Sequence, residues 1–121
     1  MTLPLSPQMV EALYEYFCTT PPFNKMKMPP GKAVKFVVGK ATDCFAYYQW
    51  DGSKHTITVS SRAVAHTITL AQSLSHEMIH LWLYTNKKES KRGGASYHNS
   101  FFKKIAARVC RYHGFDPKAF Y

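Results

Sequence analysis

The sequence predicts a single α+β domain over residues 1–121, a small antiparallel three-stranded sheet packed with about three helices. Two observations predict it. Apolar residues recur at helical spacing in three blocks, and β-branched and aromatic runs broken by a turn signal lie between the first block and the second. No repeat, low-complexity tract or linker divides the chain. At 121 residues, 45% apolar and 15% aromatic, it can bury a modest core without staples.

The first helix is expected over residues 7–18. Ser6 offers an oxygen to the free N–H groups and Pro7 presets φ at the first helical position. Val10, Leu13, Tyr14 and Phe17 then fall on one face. Paired prolines at 21–22 and 29–30 end the helix and open a basic connector, under which Met26 and Met28 are expected to pack. "AVKFVVGK", "CFAYYQW" and "HTITVS" have strand composition, and Asp51-Gly52 marks a hairpin between the last two. The next helix is expected to open on the capping-box pair Thr69 and Gln72. Leu70, Leu74, Met78, Leu81 and Trp82 give it an apolar stripe, so it should be largely buried. A polar loop leads to a final helix over about 97–112, with Gly114 as its stop. "FDPKAFY" follows as a short tail whose aromatics are expected to dock on the body.

Charge and cysteine content narrow the function classes. Lysine and arginine number 16 against 7 acidic residues, a formal charge of +9. Such an excess suits a polyanionic partner, nucleic acid above all, or simply a soluble basic surface. Cys18, Cys44 and Cys110 include no C-x-x-C pair, which excludes a zinc ribbon and disfavours a disulfide framework. No secretory leader and no membrane span of ~20 apolar residues is read from the chain, so a soluble intracellular protein is expected.

"SHEMIH" carries the chemistry. His76 and His80 are four apart, one turn of helix, and can offer two imidazole nitrogens to one ion at ~2.1 Å. Glu77, about 100° round the helix from His76, can reach a metal-bound water without ligating and take its proton as general base. Zinc lowers the pKa of such a water toward ~7. Two histidines and a glutamate on a buried helix would be costly to desolvate without a partner, which favours a metal site over chance.

A catalytic zinc needs a third protein ligand. Leu83 and Asn86 occupy the positions where a metzincin has its glycine and further histidine. Glu89 lies in a charged loop and is the weaker candidate. His98 is the better one, because it opens the final helix and shares a face with Phe102, Ile105 and Val109. His113 reads as a polar residue at that helix's far end, favoured there by the dipole, and His55 and His66 as structural or solvated.

"HEMIHLWLYTNKKESKRGGASYHNSFFKKIA" resembles the SprT-like zinc metallopeptidases, which include the Spartan proteases. Their pattern is His-Glu-x-x-His on one helix and a further histidine opening the next, typically as His-Gly-x-x-Phe. Here the second part reads His98-Asn99-Ser100-Phe101-Phe102, with Asn99 in place of the glycine and the aromatic kept. The likeness covers about residues 40–112 and includes the hairpin "CFAYYQWDGSKHTITVSSRAV". It implies a zincin-like minimal domain with one zinc ion on His76, His80 and His98, and Glu77 as general base. It also implies an endopeptidase, in Spartan-type members one that cleaves DNA-bound or DNA-crosslinked proteins. Neither the zinc ribbon nor the partner-binding tail of those members is read here.

Further residues suggest partners. Lys87, Lys88, Lys91 and Arg92 form a cationic loop between the ligand-bearing helices, and Lys103, Lys104, Arg108 and Arg111 add charge along the last helix. Together they suit phosphates without sequence specificity, a solvated surface being the plainer alternative. Trp50, Tyr47 and Tyr48 can stack bases or pack the hairpin. Tyr97, beside the third histidine, is a candidate donor to the reaction's oxyanion. A protein or peptide substrate is expected to align along a sheet edge. The chain is expected to be monomeric. The alternatives are a basic DNA-binding module with a structural or inactive zinc site, and a zinc hydrolase of another amide bond.

Overall fold

A computed structural model of the chain describes residues 5–40, 45–61, 67–88 and 98–120. The first helix, α1 (Pro7–Cys18), starts as expected: Ser6 is extended and its hydroxyl oxygen accepts the Met9 N–H at 3.3 Å. Its buried face is Val10, Tyr14 and Phe17. Tyr14 does two jobs there. Its ring lies 5.3 Å from that of Phe36, and its hydroxyl donates to the Pro29 carbonyl at 2.5 Å, pinning the connector to the core. The connector is held at two more points. Glu15 accepts the Gly31 N–H at 2.7 Å, and the Trp82 indole N–H donates to the Met26 carbonyl at 2.7 Å. Met26 and Met28 pack against the core, as expected.

The sheet comprises β1 (Val34–Gly39), β2 (Ala46–Trp50) and β3 (His55–Ser60) in the order β1-β3-β2. It is mixed, which corrects the expectation of three antiparallel strands. β2 and β3 form the expected hairpin, with Asp51 accepting from the Ser53 and Lys54 N–H groups and Gly52 at φ 94°. β1, however, runs parallel to β3, Phe36 opposite Ile57 and Val38 opposite Val59. Alternation in a strand defines which face is apolar but neither its neighbour nor its direction. Burial decides here. β3, with Ile57 and Val59 fully enclosed, needs cover on both sides, whereas β2 exposes Tyr47, Gln49 and Trp50 and suits an edge. β1 takes the vacant side of β3. One face of the sheet then carries Phe36, Ile57 and Val59 against the helices, and the other turns Lys35, Tyr47 and Gln49 to solvent.

The second helix, α2 (Thr67–Thr85), begins two residues before the expected start. Thr69 therefore lies inside it, and the Thr69–Gln72 pair is not its cap. Leu70, Leu74, Met78 and Leu81 are buried as expected, but so are Ile79 and Leu83. The helix is enclosed on most of its circumference, between the sheet and α3 (Ser100–His113). Ser75 survives in this setting because its hydroxyl donates back to the Ala71 carbonyl at 2.8 Å.

α3 starts later than expected. Asn99, extended at φ −74° and ψ −174°, is the N-cap, and its side-chain oxygen accepts the Phe102 N–H at 3.0 Å. His98 thus precedes the helix instead of riding on it. Phe102, Ile105, Ala106, Val109 and Cys110 form the buried face, and Gly114 at φ 76° closes the helix as expected. Its last residue departs from the expected role. The His113 ring packs edge-on against Phe17 at 4.9 Å, and burial holds its pKa below the ordinary value, so packing on α1 rather than the helix dipole accounts for its place. The tail forms a fourth short helix, α4 (Pro117–Phe120), with Asp116 accepting the Lys118 N–H at 2.9 Å and Phe115 and Phe120 buried.

Cys18 and Cys110 are free thiols, and burial pushes the Cys18 thiol up to about 11, in keeping with inert packing residues. Cys44 and His66 lie outside the described residues. Among those described, no helix is long and apolar enough to cross a membrane.

Candidate metal centre

α2 places His76 and His80 one turn apart, and their Nε2 atoms approach to 3.3 Å. From the other side, the bend ahead of the α3 cap brings His98 Nε2 to 3.2 Å from His76 Nε2. The side chains expected to meet do meet, although His98 reaches the site from a loop rather than from a helical face. Phe102, fully buried, forms the floor: its ring lies 4.9 Å from His76, 4.8 Å from His80 and 4.5 Å from His98.

His76 has a fixed orientation. Its Nδ1 lies 2.9 Å from the main-chain carbonyl of Phe120. A carbonyl only accepts, so Nδ1 carries the proton and the Nε2 lone pair faces the other two imidazoles. Burial, with a smaller contribution from His80 beside it, pulls the His76 pKa down to about 4. The ring is therefore neutral at neutral pH, the form that ligates. Glu77 is buried on the adjoining face, with a carboxylate oxygen 4.0 Å from His76 Nε2 and only 11% of its side chain exposed.

These residues fit a zinc ion. Nitrogens held ~2.1 Å from a tetrahedral ion lie ~3.4 Å from one another, close to the two separations seen here. The three histidines are the group of residues able to hold a metal among those described. Imidazole is a donor suited to zinc, and three such donors leave a fourth tetrahedral position open. Gathering three half-buried ring nitrogens with no cation between them would set lone pairs or N–H groups against each other.

The other candidates divide. Lys87 and Lys88 are exposed past the end of α2, where the Lys88 ammonium sits 4.7 Å above the exposed ring of Phe101. Lys103, Lys104, Arg108 and Arg111 lie on the exposed side of α3. Tyr48 and Trp50 pack with His55 and with Tyr84 of α2, the Tyr48 hydroxyl 2.6 Å from His55 Nδ1, so they and His55 serve the hairpin. Tyr97, Glu89, Lys91 and Arg92 lie outside the described residues. Two contributors were not read from the sequence: the Phe102 floor and the Phe120 carbonyl. The first was legible as an aromatic four residues after His98. A main-chain carbonyl leaves no signal of its own.

A model of the SprT-like family matches residues 10–119, nearly the whole chain and more than the stretch around the histidines. No curated protein matches the chain.

Proposed function

This chain belongs to the SprT-like family, and from that premise we propose that it is a zinc-dependent endopeptidase, with His76, His80 and His98 as ligands of one ion and Glu77 as general base. One observation carries the reading: the Nε2 atoms of His80 and His98 lie 3.3 and 3.2 Å from that of His76, with a buried carboxylate 4.0 Å from the same His76 atom. When bound, zinc supplies Lewis acidity and lowers the pKa of water toward ~7. Glu77 accepts the proton of the attacking water and returns it to the leaving amine. His76 keeps its ring fixed throughout through the Nδ1–H bond to Phe120. Phe102 closes the floor against bulk water. β2 pairs on one side with β3 and packs beside α2, so its outer edge is where an extended peptide would add as a further strand.

A structural zinc site has no use for a general base, and the position of Glu77 argues against that alternative. Within the protease reading, the substrate class is proposed from charge. Lys87, Lys88, Lys103, Lys104, Arg108 and Arg111 present cations around the second ligand-bearing segment, which favours proteins held on DNA, bound without sequence specificity.

The test is zinc content and cleavage of a basic protein by wild type and Glu77→Gln, with and without single-stranded DNA. One zinc per chain in both, with turnover in wild type alone, is expected. Equal turnover would remove Glu77 from the mechanism. Absence of DNA binding at low salt would remove DNA from the substrate proposal while leaving the peptidase.

A further inference from the structure

We propose that α4 is a positioning element of the metal centre, its Phe120 carbonyl selecting the tautomer and orientation of His76 so that metal retention and docking of α4 are coupled. The inference rests on the metal-binding reading above and adds to it a part of the chain outside both ligand-bearing segments.

Three observations lead there. The Phe120 carbonyl is 2.9 Å from His76 Nδ1, across forty-four residues of sequence. Phe120 itself is anchored: 3% exposed, its ring lies 5.5 Å from His76, 6.2 Å from Phe115 and 6.5 Å from Phe102. α4 is also fixed at its start. Asp116 caps it, Pro117 follows, and the Phe120 N–H closes back on the Asp116 carbonyl at 3.1 Å. With so short a helix the last carbonyls have no partner within it, and one of them is satisfied by His76 instead.

The chemistry follows from tautomerism. A neutral imidazole carries one proton on either nitrogen, and only the bare nitrogen ligates. A carbonyl facing Nδ1 holds the proton there and reserves Nε2, with the ring turned toward His80 and His98. Removing it frees the ring to rotate and to present the wrong nitrogen. Partners of this kind typically change metal affinity ~10–100-fold. Linkage makes the effect reciprocal: an ion that requires this tautomer tightens the seat of α4 by the same factor.

The test compares wild type, Phe120→Leu, Phe120→Ala and a chain ending at Asp116, with Tyr14→Phe as a stability control whose hydroxyl serves the connector. Zinc affinity is measured by chelator competition, and the His76 tautomer by ¹⁵N shifts of the metal-free protein. Wild type should show a protonated Nδ1. The shortened chain and Phe120→Ala should bind zinc ~10–100-fold more weakly, Phe120→Leu should stay near wild type, and Tyr14→Phe should lose stability without losing affinity. A metal-free wild type with the proton on Nε2 overturns the proposal, and needs no variant to fold. So does zinc affinity unchanged in the shortened chain and Phe120→Ala. A wild type that binds no zinc overturns the metal reading together with this one.

Discussion

His98 Nε2 stands 3.2 Å from His76 Nε2, although twenty-two residues of sequence and no common element connect them. The meeting depends on two local devices, the turn spacing of α2 and the cap that stops α3 short of His98. His98→Ala should therefore weaken zinc binding by more than ~100-fold, beyond what loss of an outer hydrogen bond costs. His113→Ala should leave it unchanged, since that ring packs on Phe17. Metal content after dialysis against a weak chelator distinguishes them, and the reverse pattern would reassign the third ligand.

Glu77 contributes to turnover rather than to metal retention. Glu77→Gln keeps the shape and removes the base, so zinc stoichiometry should persist while the rate falls ~10²–10⁴-fold. Loss of zinc along with rate would instead make the carboxylate a ligand.

Three partly buried imidazoles should make the metal-free protein acid-sensitive. His76, His113 and His55 all have pKa values held below the ordinary histidine value by burial. Below about 6.5 the unfolded chain then binds more protons than the folded one, so stability falls as the pH drops through that range and is flat above it. His113→Leu, which removes one such group away from the triad, should show a shallower loss in urea titrations between pH 7 and pH 5. An unchanged slope would mean that His113 titrates normally.

Much of this site was legible because helical spacing converts sequence directly into geometry. His76, Glu77 and His80 needed only the turn of α2, and Ser6–Pro7 marked the start of α1 to the residue. What was misread depended on neighbours. The direction of β1 is decided by which strand most needs cover, a property of the assembled sheet. The spacing of His98 to Phe102 suits a helix, but the Asn99 side chain, competing for the Phe102 N–H, moves the boundary past it. Asp116–Pro117 is the same cap-and-proline signal as Ser6–Pro7, yet four residues show no periodicity to accompany it.

Asn99 stands where the family pattern usually has glycine, and its side chain explains what is gained. The oxygen caps α3 through Phe102, and the amide nitrogen donates to the Lys88 carbonyl at 2.9 Å, tying the start of α3 to the end of the α2 segment. Since His98 is the preceding residue and lies outside any helix, both bonds bear on where its ring sits. Asn99→Ala loses both and should cost ~1–2 kcal/mol. Asn99→Gly should cost less, because glycine is a tolerable cap. Asn99→Asp keeps the cap, and its charge suits a helix N-terminus, so its stability should match wild type. It cannot donate to Lys88, however. If the tie to Lys88 positions His98, Asn99→Asp will bind zinc more weakly than wild type at equal thermal stability. Identical affinities would show that the cap alone sets the third histidine.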